Sequence, residues 1–301
     1  MQDLDPIAQT IAARLTALQA GGRLSAWSLI VSFLGDAIGP RGGVVSASTV
    51  QSVMGRLGIG HGAVRTAISR LSADGWIERT REGRNGFYRL SADVAGTVLS
   101  AERRIYAASS LLPVETPRSL IIAASPLPDS VLPELESAGA LRLAPELVLC
   151  FGGAGNLPAL LRPPAATVAG LQALHPGAAL RAQLAEARHF GEVDGLLTAY
   201  LPVRLALDQH PAPAPAQEDA MALRCLMIHE WRRIALRVLP IPADLLQQDD
   251  PEPATRALIA ALYRRLLVPS EAWLDQNATT PSGPLPPPGP RLGQRFGGGN
   301  A

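Results

Sequence analysis

One stretch of the chain restricts its fold more than any other: two short helical patterns joined by a glycine turn and followed directly by a hairpin pattern. The first helix, within SASTVQSVMGRLG, starts at a Ser or Thr N-cap and stops at Gly58. The second, within HGAVRTAISRLSADG, stops at Gly75. Their apolar stripes are Val50, Val53, Met54 and Leu57 in the first helix and Val64, Ala67, Ile68 and Leu71 in the second. Two short helices around a tight Gly-containing turn predict a helix-turn-helix module.

The residues after this helix pair are predicted to form a short basic hairpin. WIERTRE and GFYRLS have the pattern of two strands, and the turn between them is Gly83-Arg84-Asn85-Gly86, whose glycines and Asn tolerate positive φ. A basic hairpin behind a recognition helix is a wing, which can follow a phosphate strand or enter the minor groove. The hairpin arginines are Arg79, Arg81, Arg84 and Arg89.

The outward side of the second helix is predicted to be small and polar, with arginines for phosphates or guanine edges. Opposite the apolar stripe of that helix lie Gly62, Thr66, Ser69, Arg70 and Ala73, with Arg65 at the edge. The predicted DNA-binding residues are His61, Arg65, Thr66, Ser69, Arg70, Arg81, Arg84 and Asn85. Of these, His61 belongs to the start of the helix and is expected to cap it rather than read a base. The alternative is a winged helix that joins proteins without binding DNA.

The charge of the chain is divided unevenly along its length. Residues 1–110 carry 12 arginines and 8 acidic residues, whereas the rest carries 15 arginines and 18 acidic residues, within a total of +1. This asymmetry is typical of a basic nucleic-acid module joined to an acidic second part. Every basic residue is Arg, so Schiff-base, P-loop and general-base lysine chemistry are all excluded.

The pattern along the chain predicts an α+β protein with an N-terminal winged helix-turn-helix. Beyond it, SLIIAAS, PDSVLPELESAG and LRLAPELVLCF predict a small central α+β unit, for which a ferredoxin-like arrangement is one option. Long helical patterns follow, and the Pro/Gly-rich end is expected to be disordered. The predicted segments are a helical extension at 1–22, the winged helix at 23–108, the central domain at 109–190, a C-terminal helical domain at 191–276 and a disordered tail at 277–301.

Candidate catalytic and metal-binding patterns are incomplete. Cys150 and Cys225 lie in separate apolar runs and are expected to be buried. His229-Glu230 could begin an HExxH zinc motif, but position 233 is Arg, and no GxSxG motif occurs. The chain is therefore expected to have no catalytic residues, metal or cofactor. A nuclease or acyl-CoA hydrolase that carries a winged helix is the alternative.

The N-terminus and the apolar runs predict the location. The N-terminal sequence MQDLDPIAQTIAARL is that of an amphipathic helix rather than a signal peptide. No apolar stretch approaches the ~20 residues of a membrane span. We expect a cytoplasmic protein with no membrane partner.

Two regions of the sequence resemble the PaaX family of bacterial transcriptional regulators. RLSAWSLIVSFLGD, GHGAVRTAISRLSADGWIERTREGRNGFYRLS and AERRIYA are similar to its winged-helix domain, and LRCLMIHEWRRIALRVLPIPADLL to its C-terminal domain. The resemblance implies a homodimeric repressor of phenylacetic acid catabolism that binds palindromic operator DNA and is released by an aryl-CoA thioester, phenylacetyl-CoA or a related one. It places Arg65, Ser69 and Arg70 on the recognition helix and Arg84 and Asn85 on the wing.

The effector contacts are predicted within the C-terminal match. A His-Glu-aromatic-Arg-Arg core recurs in the family, and the corresponding candidates are His229, Trp231, Arg232 and Arg233. Arginines here can bind the phosphates of coenzyme A or form structural ion pairs. SSLLPVETPRSLIIAAS and FGEVDGLL lack tryptophans that the family carries, which predicts a different acyl group for this chain.

Overall fold

The computed structural model describes residues 6–21, 24–152, 157–209 and 216–298. Contacts between Cα atoms divide the chain into two compact units. The first unit comprises Met1–Ala108, Leu196–Arg233 and Arg256–Ala301, and the second comprises Ser109–Gly195 and Ile234–Thr255. The predicted C-terminal helical segment, residues 191–276, contributes residues to both units. Within the described residues, no helix is long and apolar enough to cross a membrane.

The first unit contains the predicted winged helix. Its elements, in chain order, are α2 (Ala26–Phe33), β1 (Val44–Ser46), α3 (Ala47–Arg56), α4 (His61–Ala73), β2 (Ile77–Glu82) and β3 (Asn85–Leu90). The three strands form an antiparallel sheet in the order β1-β3-β2. Helix α2 continues beyond Phe33 as a π-helical turn, Leu34–Ile38. The predicted helix pair and the hairpin after it are confirmed, whereas β1 has no counterpart in the prediction.

The remaining helices of the first unit include one that is buried along most of its length. They are α1 (Pro6–Ala20), α5 (Ala95–Ile105), the later part of α8 (Phe190–Gln209), most of α9 (Gln217–Ala235) and most of α10 (Glu252–Asn277). All residues from Ala220 to Trp231 are buried. A helix that is buried on every face must satisfy its polar side chains internally, and α9 carries several.

The second unit is built on a four-stranded antiparallel sheet. Its strands are β5 (Arg118–Ala123), β6 (Ala140–Ala144), β7 (Leu147–Phe151) and β8 (Ala166–Leu171), in the spatial order β6-β7-β5-β8. This is the strand order of a ferredoxin-like split β-α-β unit, with α6 (Leu132–Ser137) in the first crossover. The described part of the second crossover holds only the 3-10 turn Ala159–Leu161.

Both faces of this sheet are covered. Ile121, Val148 and Cys150 pack with Leu135 of α6, and Leu149 and Phe151 of the opposite face pack with Leu184 of α7 (Ala178–Ala187). A short parallel pair, β4 (Leu111–Leu112) and β9 (Ile241–Pro242), completes the unit. Strand β8 and helix α7 have no counterpart in the sequence-based prediction. Both cysteines are buried and free, as expected.

The C-terminal tail corrects the prediction of disorder over residues 277–298. Strands β10 (Thr279–Thr280) and β11 (Gly283–Pro284) form a hairpin, and two 3-10 turns follow. The backbone groups of the tail bind the winged-helix part: the Gly289 amide donates to the Pro40 carbonyl at 2.7 Å, and the Arg41 guanidinium donates to the Pro286 carbonyl at 2.9 Å. Composition alone misses these partners, because few apolar side chains are needed when the backbone itself is bound.

The tail ends in a buried polar cluster around Asp36. Both carboxylate oxygens are bonded: Arg224 Nε lies 2.7 Å from Oδ2, and Arg295 Nη1 lies 2.8 Å from Oδ1. The hydroxyls of Tyr106 and Tyr263 donate to Oδ1 at 2.6 and 2.9 Å. All five side chains are buried. We call these five residues the Asp36 cluster.

Electrostatics inside the cluster favour the ionised carboxylate. Burial by itself raises the pKa of Asp36, but the guanidinium groups of Arg224 and Arg295, together with the two tyrosine hydroxyls, outweigh it, so the pKa falls below its usual value. A carboxylate with a lowered pKa stabilises the fold above its unfolded pKa, and this stabilisation is lost as the pH falls through the folded pKa.

We predict that Arg295→Met destabilises the protein by about 3–5 kcal/mol at neutral pH, because it leaves a buried carboxylate with one counter-charge fewer. Urea unfolding measures the change in free energy. Part of the difference in the free energy of unfolding between variant and wild type should disappear as the pH falls below 3.8, the usual pKa of an aspartate. Arg291→Met, at an exposed arginine of the same tail, is the control and should be close to neutral. Equal effects of the two substitutions would contradict the role of the cluster.

Candidate nucleic-acid interface

The turn between α3 and α4 sets the direction of the predicted recognition helix. Gly58 adopts a φ of +72°, and the Ile59 amide donates to the Met54 carbonyl at 2.9 Å, which closes α3 in a Schellman-type cap. A side chain at Gly58 would be strained at this φ. Helix α4 then begins at His61 with Gly60 as its N-cap residue. The predicted stop at Gly58 is confirmed.

Helix α4 presents the face that the sequence predicts. Val64, Ala67 and Leu71 are buried beneath it, and Ile68 is half-buried. The exposed residues of the helix include all five predicted DNA contacts: His61, Arg65, Thr66, Ser69 and Arg70. The Thr66 hydroxyl donates to the Gly62 carbonyl at 3.0 Å and still has lone pairs free to accept a hydrogen bond. The face is thus narrow and polar, with both guanidinium groups in solvent.

The hairpin turn is tighter than predicted. Only Gly83 and Arg84 lie between the strands, and Glu82 pairs with Asn85, so Asn85 and Gly86 belong to β3. Gly83 takes the positive φ of +57°. A two-residue turn of this kind matches the right-handed twist of the strands. Arg84 therefore occupies the outermost position of the wing.

The arginines of the hairpin have different roles. Arg84 is exposed at the tip, whereas Arg81 Nε donates to the Gly83 carbonyl at 3.2 Å and supports the turn. Arg89 is bound by Glu78 at 2.6 and 2.8 Å, and this bond from Arg89 is the main cause of a lowered Glu78 pKa. The charge of Arg89 is thus largely occupied, which spacing alone could not show.

The predicted DNA-binding residues together form one basic module. Residues 61–90 contain six arginines and three acidic residues, and every predicted DNA-binding residue is exposed. The module is fixed to the rest of its unit: Arg56 of α3 binds Asp219 of α9, and the Thr49 hydroxyl donates to the Asn277 carbonyl. A rigid small-faced helix followed by a basic hairpin can place Arg65 and Arg70 against a nucleic-acid groove.

The predicted effector residues lie in the helical core. Trp231 is fully buried and its indole N–H donates to the Ile105 carbonyl at 2.9 Å, beneath the guanidinium of Arg256. Arg232 binds the hydroxyls of Ser28 and Ser32 on α2, at 2.7 Å for Ser32. The structure therefore gives both of them partners within the protein.

Their neighbours on α9 differ from one another in exposure. His229 is fully buried, and its Nδ1 lies 3.3 Å from the Ser32 hydroxyl. Arg233 is exposed. Glu230, which the sequence analysis considers only as part of an incomplete zinc motif, accepts from the Tyr200 hydroxyl at 2.6 Å and pairs with Arg14 of α1. Through these contacts His229 and Glu230 join α9 to α1, α2 and α8.

Burial and two neighbouring arginines determine the charge of His229. Burial first, then the charges of Arg232 and Arg233, lower the pKa of His229 to about 3. The imidazole is therefore neutral at pH 7, and within the described residues its Nε2 has no hydrogen-bond partner.

Comparisons with known proteins agree with this architecture. A family model described as PaaX-like protein matches residues 25–94, and a model of the PaaX-like protein C-terminal domain matches residues 192–276. The chain is 29% identical over 302 residues to the transcriptional repressor PaaX of Escherichia coli (strain K12), covering 92% of each chain.

A solved structure shows a similar fold. It is that of an uncharacterized protein from Mycobacterium tuberculosis, which is 19% identical, with a TM-score of 0.53 over 82% of this chain and 98% of that one.

We predict that His229→Leu removes a pH dependence of stability. Between pH 6.5 and about 3 the unfolded state binds one more proton than the folded state. His229 should therefore lower the free energy of unfolding by about 1.4 kcal/mol for each pH unit by which the pH falls in this range. At pH 7 the substitution should be tolerated, because Ser32 remains bonded to Arg232 and Ser28. Urea unfolding at a series of pH values measures the slope. The control is His61→Leu, at an exposed histidine, which should keep the wild-type slope.

Proposed function

The chain belongs to the PaaX family of transcriptional regulators, and from this premise we propose that it represses genes of aromatic-acid catabolism, of the phenylacetate type, by binding their operator DNA. The observation that carries the proposal is the exposed polar face of α4, with Arg65 and Arg70, beside a basic hairpin. Such a regulator acts in the cytoplasm, where the DNA is.

In the proposed complex, α4 enters the major groove. Arg65 and Arg70 contact guanine edges or phosphates, and the small residues between them let the helix axis approach the bases. The wing places Arg84 and Asn85 on the adjacent backbone or in the minor groove. Because the chain has no lysine, every cationic phosphate contact is made by arginine.

We propose that the repressor is a homodimer. Two copies of α4 would read two half-sites of a palindromic operator, centred ~34–36 Å apart or a multiple of that distance. This part of the proposal rests on the resemblance to the family, which implies a homodimer.

An aryl-CoA thioester, phenylacetyl-CoA or a related compound, is the proposed effector. It would favour a dimer geometry in which the two recognition helices no longer match successive major grooves, which is a coupling of two binding equilibria. In this proposal His229, Trp231 and Arg232 support the helical core, as their internal contacts indicate. Arg233, which is exposed, remains the member of the set that can reach a phosphate of coenzyme A.

One experiment tests the proposal against its alternatives. A gel shift on the region upstream of the gene, with and without a panel of acyl-CoA thioesters, should show a complex that an aryl-CoA dissolves. No complex at all would favour a winged helix that joins proteins. Turnover of phenylacetyl-CoA or of DNA by the purified protein would favour the enzyme alternative.

We predict that Arg65→Ala combined with Arg70→Ala weakens operator binding, by about 1–3 kcal/mol for each arginine that contacts a base. The slope of log affinity against log salt should become shallower by about 0.9 for each arginine that contacts a phosphate. Fluorescence anisotropy at several salt concentrations measures both quantities. Arg264→Ala, at an exposed arginine of α10, is the matched control and should behave as wild type. Unchanged affinity and slope in the double variant would contradict the docking model.

A further inference from the structure

A cavity of about 310 Å³ lies at the base of the wing, within the first unit. Three segments enclose it: the end of β3 with the residues after it, one side of α5, and the π-helical turn that follows α2. Arg291 of the C-terminal tail closes one edge. We call this space the wing-base cavity.

The wall of the wing-base cavity is largely apolar and is not covered by other side chains. Leu90, Val98 and Leu99 line it and are each only half-buried. Ala95 adds a small apolar surface beside them. An open apolar wall of this kind gains free energy when a hydrocarbon group covers it.

The turn after α2 keeps the cavity open. Gly35 lines the cavity, and a Cβ at this position would meet no atom within 4 Å. The turn itself is a π-helix of five residues, Leu34–Ile38, a local structure that occurs frequently at functional sites. The missing side chain therefore contributes directly to the empty volume.

One guanidinium at the edge of the cavity is available to a ligand. Arg291 is exposed, and among the described residues none binds its guanidinium. The other charged groups of the lining are engaged: Arg89 binds Glu78, and Glu102 accepts from Arg295 at 2.8 Å. The free charge of the site is thus positive.

We propose that the wing-base cavity binds a small organic acid, with its carboxylate on Arg291 and its hydrocarbon body against Leu90, Val98 and Leu99. A volume of about 310 Å³ is at the lower end for small-molecule sites and is too small to enclose a coenzyme A thioester. The site is therefore separate from that of the proposed thioester effector, and its ligand is a free acid.

A DNA phosphate is the other anion that could reach Arg291. The cavity favours the acid, because a phosphate backbone leaves an apolar concave wall uncovered, whereas an aryl or alkyl carboxylate covers it and uses the guanidinium.

The position of the cavity also has a consequence for DNA binding. Leu90 ends the strand that carries the wing, and Arg89 pairs with Val44 of β1, so the ligand would touch the base of the DNA-binding sheet.

The test measures binding of phenylacetate to the full-length protein by isothermal titration calorimetry. 2-Phenylethanol, which keeps the ring and lacks the charge, is the ligand control and should bind at least tenfold more weakly. Arg291→Ala should weaken phenylacetate binding about tenfold, the usual loss for a hydrogen bond to a charged group. Arg264→Ala should leave it unchanged. Gly35→Leu, which fills the cavity, should abolish it.

Three outcomes would overturn the proposal. The first is an absence of phenylacetate binding in the millimolar range, and the second is a Gly35→Leu variant that binds phenylacetate as the wild type does. The third is an Arg291→Ala variant that binds phenylacetate normally but binds the operator more weakly and with a shallower salt slope. The last result would make Arg291 a phosphate contact. Since Arg291 is exposed, its variant keeps the test valid even if Gly35→Leu is unstable. Operator binding and its release by thioesters are measured separately, so their failure would contradict the proposed function and leave the cavity proposal standing.

Discussion

The first unit depends on one buried carboxylate. Asp36 follows the apolar helix α2, and its burial is tolerable only when Arg224, Arg295, Tyr106 and Tyr263 surround it. These four partners come from α9, the C-terminal tail, the end of α5 and α10. An ion of this kind is costly to bury without its partners, because desolvation outweighs any single interaction. The winged helix, the C-terminal helices and the tail are therefore ordered as one structure.

The need to give buried polar groups a partner also applies to the polar side chains between Cys225 and Arg233. Helix α9 is buried on every face from Ala220 to Trp231, and three polar side chains at this end of it have partners within the protein: Glu230 binds Tyr200, Trp231 binds the backbone of α5, and Arg232 binds α2. A sequence with His, Glu and paired arginines suggests a binding site. Here Glu230, Trp231 and Arg232 have partners on or at the end of other helices, so these three side chains join α9 to its neighbours.

The winged helix could be predicted from local patterns, and the rest of its unit could not. The stripe from Val64 to Leu71, the stop at Gly58 and the turn at Gly83 depend on neighbours within a few residues, which the sequence displays. The order of the tail depends on Pro40, Tyr106 and Asp36, which are up to 259 residues away along the chain. Likewise, the sharing of the C-terminal helices between two units follows from contacts that no periodicity records. The predicted contacts on α4 are exposed, as the apolar stripe of that helix implies, whereas Arg81 and Arg89 have partners that spacing cannot reveal.

The absence of lysine affects the interior as much as the surface. A buried lysine can lose its proton and so avoid the cost of burial, whereas a guanidinium stays charged. In the Asp36 cluster the carboxylate raises the pKa of Arg224 against the effect of burial, so both arginines are permanent cations and Asp36 must remain ionised to balance them. Of the charged groups in the cluster, only Asp36 can change its protonation in the ordinary pH range, and the fold loses stability when it does. The arginines of α4 and Arg84 at the tip of the wing carry the same permanent charge in solvent, where it costs little and is available to a polyanion. One residue type thus serves two purposes: the buried arginines balance Asp36, and the exposed arginines of α4 and of the wing tip present their charge to solvent.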